Sequence, residues 1–477
     1  MGAWGRETLL QKGFPPPDNK FRILNTQTPA GELFPRRRML RLILPLIAEQ
    51  TLAVTIGMLD TVMVSAAGEA AISGVSLVDQ INILLINIFS ALTTGGAVVA
   101  AQYMGRDDRK NAGKAAKQLF WLSGTITSVI MAVCLIFNHG ILRAVYGAVE
   151  PEVMRSAEIY FYITCVSYPA LGIYNSGAAL FRSMGNSPVS MITSLIMNVI
   201  NLFGNALLIY GFGMGAAGAA WATLASRTVG AVIMLALMCR PTANRSEFRV
   251  ERIYKPETDP GMIKSILKVG LPNGAEGGMF QIGKLLVANL ITTFGTASIA
   301  ANAVSNTLAG FAIIPGSAIG LAMVTVVGQC VGAGDYDQAK KYTFRLMSYT
   351  YIIGGGIDLI MFFAGPEIVS LFNISPQAKE MAEYIVRTYA LASFLIWSLS
   401  FSLPNSLRAA GDARFTMVIA IISMWVFRIG FSYLLCGCFD MGLNGVWYAM
   451  YIDWIFRSAW YIWRFLSGRW KYKKVIS

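Results

Sequence analysis

The chain repeats itself. LPLIAEQ at 44–50 and LPNGAEG at 271–277 each place a glutamate four residues after a proline, near the start of a long apolar run. Pro45 and Pro272 are 227 residues apart (272 − 45), and the same offset carries Gly68 onto Gly295, Gln102 onto Gln329, Gly105 onto Gly332, Ala112 onto Ala339, Met214 onto Met441 and Gly218 onto Gly445. A tandem duplication on this scale restricts the chain to folds that can be built twice and set against each other. In an apolar chain it points to a membrane transporter whose substrate path lies between the repeats.

The apolarity is plain: 55% of residues are hydrophobic and 14% charged, against about 25% charged in soluble domains. Runs such as 81–101, 119–137 and 417–436 do not alternate polar with apolar residues, which excludes a transmembrane β-barrel. They reach the roughly 18 residues or more that a helix needs to cross hydrocarbon. Hydropathy predicts an all-α integral membrane protein with about twelve spans in two parallel six-helix repeats. The first six fall near 39–64, 76–101, 116–138, 156–181, 189–211 and 216–239, the second six near 264–292, 300–328, 342–364, 381–406, 413–436 and 443–466. The expected domains are a disordered cytoplasmic tail (1–38), an N-lobe (39–240), a linker (241–261), a C-lobe (262–466) and a basic cytoplasmic tail (467–477).

Basic residues set the expected orientation. Arg36, Arg37, Arg38 and Arg41 precede the first span. Arg106, Arg109, Lys110, Lys114 and Lys117 follow the second, and Arg245, Arg249, Arg252 and Lys255 lie in the linker. Lys340, Lys341 and Arg345 follow the eighth span, and Arg469, Lys471, Lys473 and Lys474 the twelfth, whereas 210–215 and 292–298 carry no charge. Both termini are thus expected on the cytoplasmic side of a plasma membrane. The net charge of +13 is accounted for by topology and anionic inner-leaflet lipid, without a nucleic-acid partner. An even number of spans per half makes the repeats parallel, so equivalent residues sit at equal depth.

Six cysteines, Cys134, Cys165, Cys239, Cys330, Cys436 and Cys438, are scattered without a zinc or redox spacing and read as packed thiols. His139, the single histidine, falls in a loop. Ionisable residues inside the spans say more, because a mid-membrane Asp or Lys costs roughly 2.5–3.5 kcal/mol unless a partner or water receives it. The first half has Glu49 and Asp60 on span one, Asp79 on span two and Arg227 on span six; the second has Glu276, Lys284, Asp358, Arg428, Asp453 and Arg457. Glu49 and Asp60 are 11 residues apart, about three helical turns, and so share one face. Asp358, Asp453 and Arg457 read as structural ion pairs. Asp60 does not: its repeat equivalent is Val287, and no base lies within a turn of it.

GMLDTVMVS at 57–65, GGAVVAAQYMG ending span two, and GFGMGAAGAAWAT at 211–223 resemble the multidrug and toxic compound extrusion (MATE) family of antiporters, in its bacterial NorM-like type. TASIAANAVSN and GQCVGAGDYDQAKK extend the likeness through the second half. The resemblance implies a two-lobe, V-shaped transporter acting as a monomer; its cargo is amphipathic organic cations, exported by antiport with H⁺ or Na⁺. No other cofactor is implied, and membrane lipid is its surroundings. Asp60 matches the family's ion-coupling acid, Asn201 and Asn205 its paired polar positions on span five, and Thr223 a threonine on span six. Asn205 stands where many relatives have aspartate. One turn apart, Asn201 and Asn205 present oxygens to one side, and with Asp60 and Thr223 they could surround Na⁺; a proton needs Asp60 alone. NorM-type members also use a glutamate on span seven, to which Gln281 lies nearer than Glu276.

The expected mechanism has Asp60 taking up the ion and reshaping span one, with the cargo between the lobes near Glu49, Glu276, Gln281 and Lys284. Lys284, equivalent to Gly57, would pair with an acid when the cavity is empty, and Pro169, Pro315 and Pro404 would let spans bend. Two other readings stay open: a lipid or glycolipid flippase of the same superfamily, and a membrane-embedded enzyme or channel.

Overall fold

A computed structural model describes residues 32–147, 149–240, 248, 250–251, 253–255 and 257–476. The tail to residue 31 and the linker arginines Arg245, Arg249 and Arg252 lie outside the described residues. The described chain is helical because hydrocarbon offers backbone groups no partner except their own segment. Its first half comprises α1 (Arg36–Ser65), α2 (Glu69–Gly105), α3 (Arg109–Ile136), α4 (Asn138–Tyr146), α5 (Pro151–Val166), α6 (Tyr168–Ser183), α7 (Ser187–Gly211) and α8 (Gly215–Cys239). The second comprises α9 (Pro260–Thr292), α10 (Thr296–Ala312), α11 (Ile314–Gly332), α12 (Tyr336–Ser370), α13 (Pro376–Ala409), α14 (Ala413–Gly437) and α15 (Gly442–Leu466).

Among the described residues twelve membrane-length runs emerge, and three of them are interrupted. The predicted spans at 156–181 and 300–328 are each two helices, interrupted at Ser167 and Ile313. Pro169 and Pro315 explain the breaks: lacking an N–H, each occupies the first turn of the next helix, where none is needed. A third interruption, at Ser402, precedes Pro404. Among the described residues nine helices are long and apolar enough to cross a membrane unaided: α1, α2, α3, α7, α8, α11, α12, α13 and α14. The long helices α9 and α15 are excluded from that set by what they carry inside their apolar stretches, Glu276 and Lys284 on one, Asp453 and Arg457 on the other.

The two halves exchange the starts of their first helices. Met39, Leu42, Ile43 and Leu46 of α1 are buried among Ala318, Met323, Tyr342 and Leu407 of the second half. Reciprocally, Met262, Ile266 and Val269 of α9 are buried with residues of α2 and α3, including Leu92 and Ala116. Beyond Glu49, α1 buries only Val64. The expected tail and its C-terminal counterpart are drawn in as well. Phe34 is fully buried and its N–H donates to the Tyr342 hydroxyl (3.0 Å), while Lys341 pairs with Glu32 at 2.7 Å. That ammonium holds the Glu32 carboxyl below its usual range, so the contact survives until the pH falls through the lowered value. At the other end Trp470 and Ile476 are buried, and Lys268 donates to the Lys474 carbonyl at 2.6 Å.

Where α2 and α11 end, the repeat symmetry becomes a contact. A Cβ on Gly105 would lie 2.8 Å from the carbonyl carbon of Gln329, and one on its equivalent Gly332 would lie 2.6 Å from that of Gln102. The two glutamines close the same junction: Gln102 donates to the Ala409 carbonyl (2.8 Å) and Gln329 to the Ser183 carbonyl (2.7 Å). Backbones approach this closely only where there is no side chain. Gly105→Val and Gly332→Val, made separately, are each expected to destabilise the folded protein by about 1–3 kcal/mol or more through overpacking. Unchanged thermal unfolding in detergent for both variants would show that the junction is looser than drawn.

Candidate functional site

Four residues singled out from the sequence meet at one place in the first half. Asp60 of α1 accepts a short hydrogen bond from the Asn205 carboxamide of α7. The same Asn205 nitrogen lies 3.4 Å from Asn201 Oδ1, and Asn201 Nδ2 donates to Thr223 Oγ1 of α8 at 3.2 Å. One-turn spacing puts the two asparagines on one face of α7, and a π-helical turn, Ala206–Gly211, begins immediately after Asn205. Asn205 is fully buried, and its Oδ1 has no hydrogen-bond partner among the described residues. A buried acceptor without a donor is costly, and this one lies beside a carboxylate.

A second polar layer adjoins this cluster. Asp79 of α2 accepts from Asn82 Nδ2 (3.3 Å) and from the Tyr160 hydroxyl of α5 (3.2 Å), and Tyr168 of α6 donates to Asn82 Oδ1 at 2.7 Å. Arg227 of α8 donates to Ser167 Oγ at 2.7 Å, at the α5–α6 break. Asp79 and Arg227 both act electrostatically on Asp60. Sequence reasoning noted these two charges without joining them to Asp60, and it missed Asn82, Tyr160 and Tyr168. Charge inside an apolar run was the available signal for the first two; ordinary polar residues on buried helices give none.

Between the halves lies a cavity of about 730 Å³. Asp60 does not line it. Glu49 does, but Arg182 holds it at 3.2 Å and Ser190 donates to it at 2.8 Å. Glu276 is bound in the matching way, by Arg408 at 2.6 Å, with Arg457 at 3.5 Å. Gly185 and Gly411, both at positive φ, align the segments containing Arg182 and Arg408, so the pairs are symmetry equivalents. Gln281 and Lys284 line an adjoining cavity of about 440 Å³. Lys284 also faces the central cavity, and among the described residues no carboxylate lies within ion-pair distance of it.

Asp453 and Arg457 form the ionic network expected of them. Asp453 is fully buried, takes a short hydrogen bond from Ser423, and lies 3.8 Å from Arg428 and 4.0 Å from Arg457. Asp358 stands apart, with Ser393 as its hydrogen-bonding neighbour. His139 pairs with Glu158 at the surface. Among the described residues no group of three or more His, Cys, Asp or Glu is placed to hold a metal.

Paired helical repeats around an internal cavity, with a carboxylate cluster set aside in one of them, define a membrane transporter of the repeat-built type. The MatE family model matches residues 45–207 and 275–434, one stretch in each half, and the chain belongs to that family. It is a transporter and not an enzyme. A probable multidrug resistance protein NorM of Thermotoga maritima is 27% identical over 93% of this chain and 94% of its own length. An uncharacterized transporter, YisQ, of Bacillus subtilis is 25% identical over 91% of this chain and 94% of that one. A crystal structure of MATE in the bent conformation superposes with a TM-score of 0.82 at 20% identity, covering 91% of this chain and 94% of that one. A MOP superfamily transporter from Pyrococcus furiosus gives 0.84 at 19% identity, covering 92% and 97%.

The arginine pairs yield a direct expectation. Arg182→Met strands Glu49 and should cost about 3–5 kcal/mol, read as a fall in the unfolding temperature. Adding Glu49→Gln should recover part of that loss. Additive losses in the double variant would show that the two side chains do not interact.

Proposed function

We propose that this chain is a multidrug-type efflux transporter that expels amphipathic small molecules by antiport with H⁺ or Na⁺. The ion acts at Asp60 and the cargo occupies the cavity between the halves. The observation that carries this reading is the separation of the two: Asp60 is gathered with Asn201, Asn205 and Thr223 inside the first half, away from the cavity wall. Separate sites allow antiport without direct competition, because ion and cargo can occupy the protein alternately through one conformational equilibrium.

A proton needs only the Asp60 carboxylate, and its arrival would remove the charge that the Asn205 amide now solvates. Sodium would need oxygens, and Asn205 would have to turn its Oδ1 toward Asp60 to supply one. Either ion weakens the Asp60–Asn205 bond, which ties α1 to α7. Since α1 buries little between Glu49 and Val64, the bond is a principal restraint on that stretch. Releasing it lets the half-helix bend while its start stays clamped in the second half.

The lobes in this reading are 39–240 and 262–466, joined by the linker 241–261. The basic connections and both termini face the cytoplasm, in a plasma membrane, and one chain suffices as the transporting unit. Organic cations are the cargo that the family resemblance implies, placed between the lobes near Glu49 and Glu276. Both carboxylates are engaged by arginines, so neither is a free anchor for a cation, while Phe280, Trp397, Phe401, Trp447 and Trp454 line the cavity and give an apolar body a wall to lie against. Proteoliposome efflux with H⁺ and Na⁺ gradients imposed separately tests the proposal. Asp60→Asn should abolish acceleration by whichever gradient drives the wild type. Full gradient-driven efflux by that variant, or no acceleration of the wild type by either gradient, would refute it.

A further inference from the structure

Five charged side chains line the central cavity: Glu49 against Arg182, Lys284, Arg408 and Arg428. Glu49 and Arg182 cancel. Arg408 is spent on Glu276, which also takes Arg457. Arg428 has Asp453 at 3.8 Å, but Asp453 is shared with Arg457. Lys284 has no carboxylate partner. Even with Asp358 counted, the five bases of this region, Arg182, Lys284, Arg408, Arg428 and Arg457, outnumber its four acids, Glu49, Glu276, Asp358 and Asp453, among the described residues.

Lys284 and Arg428 are not merely both present. They share the wall of the central cavity and of a smaller recess of about 280 Å³ that opens beside it. Two like charges at one recess inside a membrane protein repel, and a lysine at mid-membrane costs roughly 2.5–3.5 kcal/mol unless something receives it. An anion between them would reverse both penalties. Asn306, on the same recess wall, adds an amide. Next to the basic recess stand Phe280, Phe401 and Trp447; Arg428 lies over the Phe280 ring at 5.4 Å, and Arg457 and Trp397 lie against Phe401, so these rings give the recess an apolar lining.

We propose that the cavity binds an amphipathic anion, a carboxylate or phosphate group carried on an aromatic or apolar body. Lys284 and Arg428 hold the charged end, and the aromatic wall holds the remainder. The inference rests on the reading of this cavity as the cargo site. It assigns that cargo a sign of charge opposite to the one expected from the sequence. It also explains the broken symmetry at Lys284, whose equivalent is Gly57: the base is needed at one wall only.

Equilibrium binding to the purified full-length chain in detergent, with no gradient present, tests the assignment independently of ion coupling. The probes are an aromatic carboxylate dye and an aromatic cation dye, followed by fluorescence anisotropy. The carboxylate dye should bind the wild type more tightly than the cation dye. Lys284→Gln should weaken it about tenfold or more, and Lys284→Arg should restore it. Tighter binding of the cation dye, binding of neither dye, or carboxylate binding unchanged in Lys284→Gln each overturns the proposal, and the wild-type comparison stands even if a variant does not fold. Addition of an anionic phospholipid to the micelles separates the sources of the anion. Displacement of the dye assigns the charged end to a lipid headgroup and a lack of displacement to a soluble compound, both in keeping with an anion site. Loss of gradient coupling with dye binding intact would count against the antiport reading alone.

Discussion

A charge left bare in hydrocarbon must find a partner or water, and each polar feature of this transporter answers that demand in its own way. Glu49 and Glu276 are answered by arginines on neighbouring helices, Asp453 by Ser423, Arg428 and Arg457 together, and Asp60 by an asparagine amide. These answers differ in strength. A carboxylate closed by a guanidinium is a structural fastening; a carboxylate closed by a neutral amide keeps its full charge and remains able to exchange its partner for an ion. The amide at Asn205 therefore matters through the charge it does not carry.

The duplication organises these groups without making the halves alike. The arginine–glutamate pairs obey the repeat, as do the glycine contacts at Gly105 and Gly332. Asp60 and Lys284 do not, since their equivalents are Val287 and Gly57. Structural fastenings are thus doubled, whereas an acid without a basic partner appears in one half and, among the described residues, a base without an acidic partner in the other. A shared scaffold with charges of opposite sign on its two first helices gives each half a different affinity, so occupancy of one can bias the other through the common junction.

Much of this was legible in the residues. The repeat and the apolar runs gave the helices, and the prolines at 169, 315 and 404 were read as places where spans bend; that the chain breaks there into separate helices was not read. The group formed by Asp60, Asn201, Asn205 and Thr223 was legible through family resemblance, and one-turn spacing supported half of it. What could not be read was pairing across distance. Arg182 lies 133 residues from Glu49, and Arg408 lies 132 from Glu276, so the glutamates appeared free until helix packing brought their partners in. Asp79 reached the Asp60 neighbourhood in the same way. The sign of the cavity depends on which charges are already spent, and that is a fact of three-dimensional packing.

The reciprocal placement of the starts of α1 and α9 also bears on how the chain is made. As the first half leaves the ribosome, Met39, Leu42, Ile43 and Leu46 have no surface to pack on, because Ala318, Tyr342 and Leu407 have not yet been synthesised. The first half must wait in the bilayer with the apolar start of α1 lacking its second-half packing until most of the second has been inserted. Assembly is then completed late and in both directions at once, so the two halves form one cooperative unit, and a chain truncated within the second half leaves the first unfinished too.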